Sequence, residues 1–321
     1  MSTDGFVARA RGALRTTWGF HRPPHAFVLT EDRLLHVALP RDARGVAGRA
    51  TVSSRELPPG TFRDGPAGVP VVGPGLGQAL SSLLPARERV TAASLAVPDR
   101  FVKAASVDVE PGVDKSPREL ADVLRWKMGR LYGEPAPALR LGWSVTGPAP
   151  DGGTRFLVLS SPEESIASCE AAFAAHGIRI GALEPAALAL SAVAGRVLGE
   201  RGLVVFTDGP NVTTVFLEGG DVRFLRTRET AADPEEALQE IRLAASFVGG
   251  PAGEGPGLDV TGAVVVVPET SAVSARLRRF REESGGKEPL SLHAALVARG
   301  LPTRGEDPGF LVGLGLLEGA E

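Results

Sequence analysis

Residues 203–229, LVVFTDGPNVTTVFLEGGDVRFLRTRE, carry the pattern that most narrows the fold of this chain. Three short apolar runs rich in Val and Phe are separated by turns of Gly, Pro, Asn and Asp, which is typical of strands joined by hairpins. Gly219 and Gly220 tolerate the positive φ that a two-residue hairpin needs. The stretch therefore predicts a three-stranded β-meander at an edge of a larger α/β protein.

The bulk composition narrows the class of protein. The 321 residues are enough for about two domains, and 43% are hydrophobic, which allows a sizeable core. A net charge of −3 argues against general nucleic-acid binding. The single cysteine, Cys169, fits a reducing compartment. Because no apolar run approaches the roughly 18 residues that span a bilayer and the start is not a signal peptide, we expect a cytoplasmic protein.

Three capping sequences predict where helices begin. Ser116-Pro117-Arg118-Glu119 and Ser161-Pro162-Glu163-Glu164 both place a hydroxyl before a proline and an acidic residue, and Asp233 precedes Pro234-Glu235-Glu236. With apolar runs on either side, the order from residue 101 to 183 becomes β-α-β-β-α-β. That order indicates a compact two-layer unit of the ferredoxin-like type.

These features carry a resemblance to a known family. A strand, a turn containing Asp208 and Gly209, a Thr-rich strand, a glycine hairpin and a strand ending in Arg together resemble the second phosphate-loop hairpin of the actin-like ATPase fold. The order of elements resembles the PilM family of type IV pilus assembly, with the cytoplasmic domain of the type II secretion protein GspL as a relative. Three shorter stretches also resemble motifs of this family: Val97-Pro98-Asp99, Leu124-Arg125-Trp126-Lys127 and the apolar run 310–317.

The resemblance implies an α/β, two-lobed actin-like (ribonuclease H-like) fold with an inserted β-α-β-β-α-β subdomain. The first lobe would span residues 1–100, with a C-terminal helix at 308–321 packing back on it. The inserted ferredoxin-like subdomain would span 101–183, and the second lobe 184–307. The basic segment 1–20 is either an amphipathic helix on an anionic membrane surface or a helix or tail on its own domain.

Two of the family's nucleotide motifs are missing. The first phosphate loop of the fold is a D-x-G turn, but this chain has Leu29-Thr30-Glu31-Asp32, with no glycine to bring amides near a phosphate and two carboxylates to repel it. A Gly-Gly pair that meets the adenosine in nucleotide-binding members is replaced by Pro268-Glu269.

The second phosphate loop is weakened. The family's metal-holding Asp falls on Thr207 and its Gly on Gly209, while strand alternation is expected to turn Asp208 to the opposite face. Pro210 removes one amide donor. Asn211, Thr213 and Thr214 remain as phosphate contacts if a nucleotide binds.

The sequence therefore predicts a pseudo-ATPase with no cofactor, no catalytic residue and no metal ligand. Two alternatives stay open. One is an active ATPase that binds ATP with Mg²⁺ through Thr207, Asp208 and Gly209, and the other is a small-molecule kinase of the same superfamily.

The resemblance also implies a protein partner. PilM receives the short cytoplasmic tail of the membrane protein PilN in a groove near the inserted subdomain. Such a groove needs an exposed apolar anchor, for which Trp126 and Tyr132 are the candidates, although Trp126 is equally explained as a core residue. The implied function is a scaffold on the cytoplasmic side of the inner membrane, in a type IV pilus or type II secretion assembly.

Overall fold

The computed structural model describes residues 23–39, 50–84, 90–113, 116–133, 136–231, 233–248, 263–284, 287–300 and 307–317. The predicted basic segment 1–20 lies outside these residues. The strands are β1 (His25–Leu29), β2 (Arg33–Ala38), β3 (Thr51–Glu56), β4 (Phe62–Arg63), β5 (Val71–Val72), β6 (Ala92–Val97), β7 (Lys103–Val109), β8 (Leu139–Pro148), β9 (Thr154–Pro162), β10 (Arg179–Pro185), β11 (Arg201–Asp208), β12 (Asn211–Glu218), β13 (Asp221–Glu229) and β14 (Ala263–Val267). The helices are α1 (Gly75–Leu83), α2 (Pro117–Gly129), α3 (Glu163–Ala174), α4 (Ala186–Ala194), α5 (Pro234–Val248), α6 (Ala272–Ser284), α7 (Leu292–Ala298) and α8 (Pro308–Leu317).

The first lobe is built on a five-stranded sheet in the order β10-β6-β1-β2-β3. β1 and β2 form an antiparallel hairpin, and β6 and β10 run parallel to β1. The strand β1 is buried on both faces: Ala26 and Val28 lie in one core, while Phe27 and Leu29 lie in a second core with α1. Such two-sided burial explains why this strand is a continuous apolar run.

The inserted unit is a three-stranded sheet in the order β7-β9-β8, covered by α2. The Ser116 hydroxyl accepts a hydrogen bond from Glu119 N at 3.4 Å, which confirms the first predicted cap. Leu124 and Met128 of α2 pack against Phe156 of β9. Leu120, Leu124 and Met128, spaced four residues apart, form the buried face of this helix.

The predicted ferredoxin-like closure of this unit does not form. The element order β-α-β-β-α-β is present, but β10 pairs in parallel with β6 of the first lobe instead of joining β7, β8 and β9. Helix α3 also packs on the first lobe. Its Cys169 and Phe173 lie in the first-lobe core, where the Phe173 ring meets the Phe27 ring edge-on with 5.0 Å between centroids. The order of elements along a chain does not specify which of two neighbouring sheets a strand will join, and here the apolar face of α3 covers the first lobe.

The second predicted cap is also wrong. Ser161 is a residue of β9, paired with Arg140, and helix α3 begins after Pro162 without a side-chain cap. Glu163 N instead donates to Ala138 O at 2.8 Å. A backbone carbonyl beside β8 thus satisfies an amide that the serine was expected to cap.

The second lobe confirms the predicted meander. Its sheet has the order β13-β12-β11-β14, and Gly219 and Gly220 make the β12–β13 turn with φ of 59° and 79°. Asp233 caps α5, since its Oδ1 accepts from Glu235 N at 2.8 Å. Ile241 of α5 and Leu277 of α6 pack together in the core of this lobe.

Helices α4 and α8 lie between the two sheets and share one apolar core with both lobes. α8 contacts α4, β1, β2 and β6, so the C-terminal helix packs on the first lobe. A Cβ at Gly315 would lie 1.8 Å from Ala189 O, and one at Gly313 would lie 2.4 Å from Val37 Cγ2. Glycine at these two positions lets the helix approach its neighbours at backbone distance. None of the helices in the described ranges is long and apolar enough to cross a membrane.

Candidate functional site

The turns of the two lobes meet at one point, which we call the turn junction: residues 30–32 between β1 and β2, residues 208–211 between β11 and β12, and Asp99 and Arg100 after β6. Gly209 has a φ of 57°, and a Cβ built on it would lie 3.1 Å from Glu31 Cγ. The two turns are therefore in van der Waals contact, and glycine is needed at this position both for its φ and for the close approach.

The Glu31 side chain occupies this junction and is held there by Arg100. Arg100 Nε and Nη2 donate to the two Glu31 carboxylate oxygens at 2.5 and 2.8 Å. The same guanidinium lies over the Phe62 ring, 5.0 Å from its centroid. A bidentate pair backed by an aromatic ring fixes both side chains, so the Glu31 carboxylate lies between the lobes.

Asp208 faces this junction, contrary to the expectation that strand alternation turns it away. Glu31 N donates to Asp208 Oδ1 at 3.5 Å, whereas the Thr207 hydroxyl lies on the other side, 3.5 Å from Val267 O. Alternation correctly places the two side chains on opposite faces. Alternation does not say which of the two faces the first lobe covers. The sequence analysis therefore missed the contact of Asp208 with the first lobe.

Burial and three carboxylates act on Asp208. Its Oδ2 is buried and has no hydrogen-bond partner among the described residues. Burial, together with the negative charges of Glu31, Asp99 and Asp32, raises the pKa of Asp208 to about 7, against the opposing effect of the Glu31 amide. A carboxyl in such surroundings binds a proton at close to neutral pH.

The hydroxyl and amide groups predicted as phosphate contacts all have partners within the protein. Thr213 Oγ1 lies 3.0 Å from Thr227 Oγ1, Thr214 Oγ1 donates to Arg226 O at 3.5 Å, and Asn211 Nδ2 donates to Asp208 O at 3.4 Å. All three side chains are buried. The structure thus brings the predicted second-loop residues together, and their polar groups bond within the second lobe, with Thr213 also hydrogen-bonded to Asp99 of the first lobe.

Asp99 is a junction residue that the sequence analysis did not select. Its Oδ1 accepts from Ala187 N at 2.9 Å, so it binds the first turn of α4. Complete burial raises the pKa of Asp99 to about 6, against the opposing effects of the Ala187 amide and the Thr213 hydroxyl. Its position directly after Pro98, within the noted Val97-Pro98-Asp99 motif, was the available signal.

The two aromatic anchor candidates lie in different environments. Trp126 is 63% exposed on α2, with the Arg130 guanidinium 5.5 Å from its ring, so it is not a core residue. Tyr132 is 8% exposed, and its hydroxyl donates to Ser160 O at 2.7 Å. Tyr132 is therefore a core residue and offers no exposed anchor.

A groove lies between the inserted unit and the first lobe. β8 is an edge strand of the three-stranded sheet and β10 an edge strand of the five-stranded sheet, and a cavity of about 110 Å³ separates them. Its walls are mainly apolar side chains, with Ser160, Ser161 and one charged pair, and Trp126 is not among them. The lining includes Leu141, Gly142, Leu159, Ile166, Ile180 and Leu183, with Arg140 and Glu170.

The charged residues of the groove, Arg140 and Glu170, bind each other and so hold β8 against α3. Arg140 Nη1 donates to Glu170 Oε1 at 2.5 Å, and Arg140 Nε donates to Glu163 Oε2 at 3.1 Å. Gly142 leaves the wall open, since a Cβ built on it meets no atom within 4 Å. The groove therefore presents two strand edges, an apolar floor and unfilled space.

The remaining candidates are metal-ligating side chains and the thiol of Cys169. No group of three or more His, Cys, Asp or Glu side chains that could hold a metal ion occurs in the described part of the chain. Cys169 is fully buried, and burial raises the pKa of its thiol to about 12. Cys169 is therefore an inert core residue.

Comparisons with known proteins identify the fold. No protein-family model matches the chain, and no curated protein matches its sequence. Among solved structures, a chain of a PilM-PilN type IV pilus biogenesis complex matches with a TM-score of 0.66 and 18% identity, over 94% of this chain and 100% of that chain.

Two further solved structures match at lower scores. The cytoplasmic domain of EpsL, an inner-membrane component of the type II secretion system of Vibrio cholerae, has a TM-score of 0.45 and 15% identity over 76% of this chain and 81% of that chain. A Bacteroides thetaiotaomicron protein with an actin-like ATPase fold has a TM-score of 0.49 and 7% identity, over 85% of this chain and 95% of that chain. The PilM likeness, together with the two lobes and the insertion described above, shows that this chain has the actin-like α/β fold.

Proposed function

We propose that this protein is an actin-like scaffold of a type IV pilus or type II secretion inner-membrane assembly, which captures the short cytoplasmic tail of a PilN-like membrane protein and binds no nucleotide. The observation that carries the proposal is a contrast between two places in the molecule. The turn junction is filled by the protein's own side chains, and the groove between β8 and β10 is open.

The turn junction does not fit a triphosphate. Phosphate oxygens would have to displace the Glu31 carboxylate, which Arg100 holds with two hydrogen bonds, and would then lie beside Asp208 and Asp99. The threonine hydroxyls that would receive them already have partners. Replacing these contacts costs free energy before any is gained from the ligand. These features support the proposal that the nucleotide site has been lost.

The groove suits an extended peptide. An edge strand has unpaired backbone groups on one side, and a bound peptide gains affinity from main-chain hydrogen bonds to such an edge. β8 and β10 supply two edges that face one cavity, and Leu141, Leu159 and Ile180 supply an apolar floor for alternate side chains. The tail of a membrane protein, being short and without a fold of its own, matches this geometry.

The test uses the full chain and two ligands. A labelled synthetic peptide with the sequence of the cytoplasmic tail of the PilN-like protein from the same genome is titrated by fluorescence anisotropy. A fluorescent ATP analogue is titrated in parallel with and without Mg²⁺. We expect saturable binding of the tail and no saturable binding of the analogue.

The two titrations separate the alternatives. Micromolar, Mg²⁺-dependent binding of the ATP analogue would contradict the loss of the nucleotide site and favour an active ATPase. Absence of tail binding, while the chain remains folded by circular dichroism, would contradict the scaffold proposal. A tail of the same composition in scrambled order is the control for non-specific binding.

A further inference from the structure

Asp208 belongs to the contact between the two lobes and to no other site. It closes the β11–β12 turn opposite Asn211, and its Oδ1 receives the Glu31 amide of the first lobe at 3.5 Å. Gly209 beside it touches the Glu31 side chain. Any change in the charge of Asp208 therefore acts directly on the place where the turns of the two lobes meet.

Among the described residues of the first lobe, each charged group that shifts the pKa of Asp208 is a carboxylate. Glu31, Asp99 and Asp32 each raise its pKa through their negative charge. The two arginines near these turns are already paired: Arg100 donates from Nε and Nη2 to Glu31, and Arg33 lies 4.0 Å from Asp32 Oδ1 and 3.1 Å from Asp307 Oδ1. An ionised Asp208 would thus face carboxylates across a buried contact.

The remaining neighbours of this turn do not supply a compensating charge. On β13, opposite Val212 and Asn211, Arg228 lies 3.9 Å from Glu240, and Glu229 is exposed. Beyond β14, Glu269 accepts from Ser291 Oγ and His293 N at 3.0 and 3.1 Å, so it binds the start of α7. Two further carboxylates and a paired arginine leave the balance of charge negative among the described residues around the junction.

We propose that the turn junction is a proton-dependent latch, in which the turn at 208–211 stays docked on Glu31 while Asp208 is protonated and separates from it when Asp208 ionises. The lobes as wholes stay together through α4 and α8, whose apolar core is shared by both sheets. Opening is therefore local to the turns. The latch does not depend on the proposed function, and it would hold whether or not the groove binds a tail.

The direction of the effect follows from the two states of the carboxyl. When docked, Asp208 titrates at about 7, and when released into water it returns towards its ordinary value of 3.8. Between these values the docked state holds more protons than the open state, so rising pH favours opening. From pH 6 to pH 8 the opening equilibrium is expected to rise about tenfold for a carboxyl that titrates at these two values.

Amide hydrogen exchange measures this opening directly. The full chain is labelled at pH 6 and pH 8, and peptides that cover residues 29–33 and 207–212 are followed, with rates corrected for the intrinsic pH dependence of exchange. We expect protection in both peptides to fall about tenfold between the two pH values. Peptides from α4 and α8 should show no such loss after the same correction.

Asp208→Asn is the decisive variant, because it keeps the shape and removes the titration. It should remove the tenfold change in protection of both turns between pH 6 and 8. Asp99, whose pKa is about 6, stays bound to Ala187 N when the turns separate and should add little. Glu56→Gln, an exposed carboxylate at the end of β3, is the matched control and should behave as the wild type. Equal corrected protection of the wild-type turns at pH 6 and 8 would overturn the proposal even if the variant failed to fold, and so would a pH dependence that persists in Asp208→Asn.

Discussion

The turn junction and the groove are both places where two units of the molecule meet, yet one is closed and the other open. At the junction, the first and second lobes meet through turns whose long polar side chains fill the space, with Glu31 held by Arg100. At the groove, the first lobe and the inserted unit meet through two strand edges, β8 and β10, that do not pair with each other. The difference shows where a ligand can enter this molecule without displacing the protein's own groups.

The physical reason is that side chains of turns meet at the junction, whereas backbone groups of strand edges meet at the groove. A turn carries side chains that reach several ångströms, and these satisfy one another across the junction. A strand edge satisfies its backbone groups with another strand or with water. A Cβ on Gly142 of β8 would meet no atom within 4 Å, so this residue leaves the space between the edges open.

We expect the largest effect for a substitution in the groove, on the affinity for the tail peptide. Gly142→Leu places a side chain in open space without forcing a positive φ, so it should fill the groove and leave the fold intact. We expect tail-peptide affinity to fall at least about tenfold, measured by anisotropy, with little change in thermal midpoint. Val145→Leu on the same strand, at an exposed position outside the lining, is the control. Unchanged affinity in Gly142→Leu would mean that the groove is not the binding site.

Removal of the cation at the turn junction should reduce stability. Arg100→Ala leaves the Glu31 carboxylate, 20% exposed, without its partner and next to Asp208, so we expect the free energy of unfolding to fall by about 1–3 kcal/mol. Tail binding should not change, because Arg100 does not line the groove. Arg125→Ala, which breaks an ion pair with Asp122 whose side chains are 50% and 65% exposed, should cost at most about 0.5 kcal/mol in the same denaturant titration. Equal losses in the two variants would contradict the distinction between a held and a solvated pair.

Tyr132→Phe tests the assignment of Tyr132 to the core of the inserted unit. The change removes the hydroxyl that donates to Ser160 O at 2.7 Å and leaves that buried carbonyl short of a partner. We expect a loss of about 1 kcal/mol in the free energy of unfolding, with tail affinity unchanged. A fall in affinity without a fall in stability would make Tyr132 an anchor for the partner after all.

The smallest expected effect on stability is at Trp126. Because its side chain is 63% exposed, Trp126→Ala should change the free energy of unfolding by no more than about 0.5 kcal/mol in a denaturant titration. If the bound partner extends from the groove across α2, tail affinity should fall by roughly threefold, a smaller loss than at Gly142. A larger loss of affinity in Trp126→Ala than in Gly142→Leu would make α2, and not the groove, the main binding surface.

Much of the fold could be predicted from residue patterns. The meander, its glycine turn and the caps at Ser116 and Asp233 follow from local chemistry, which acts within a few residues of the chain. The sequence left Trp126 open between an exposed anchor and a core residue, and the structure leaves its side chain exposed on α2. Tyr132 lies beyond the end of this helix, where helical periodicity no longer indicates which side is buried.

The errors concern contacts between distant segments. Whether β10 joined the inserted sheet or the first lobe depended on how the apolar face of α3 fitted the core around Phe27, and no local pattern contains that information. Ser161 lost its capping role because Ala138 O approached the same helix start. Strand alternation correctly placed Asp208 opposite Thr207, but its contact with Glu31 was missed because alternation does not say which of the two faces the first lobe covers.

By itself, the amino-acid sequence determined the elements, their order and the absence of glycine from the first turn, because propensity, capping and turn chemistry are local. Only the tertiary structure decided that Glu31 is held by Arg100 in the turn junction, that Asp208 shares this space and that two strand edges leave a groove open. These features depend on distances between residues that lie tens to hundreds of positions apart in the chain. The packing of α4 and α8 between the sheets, which brings the two lobes together, sets those distances.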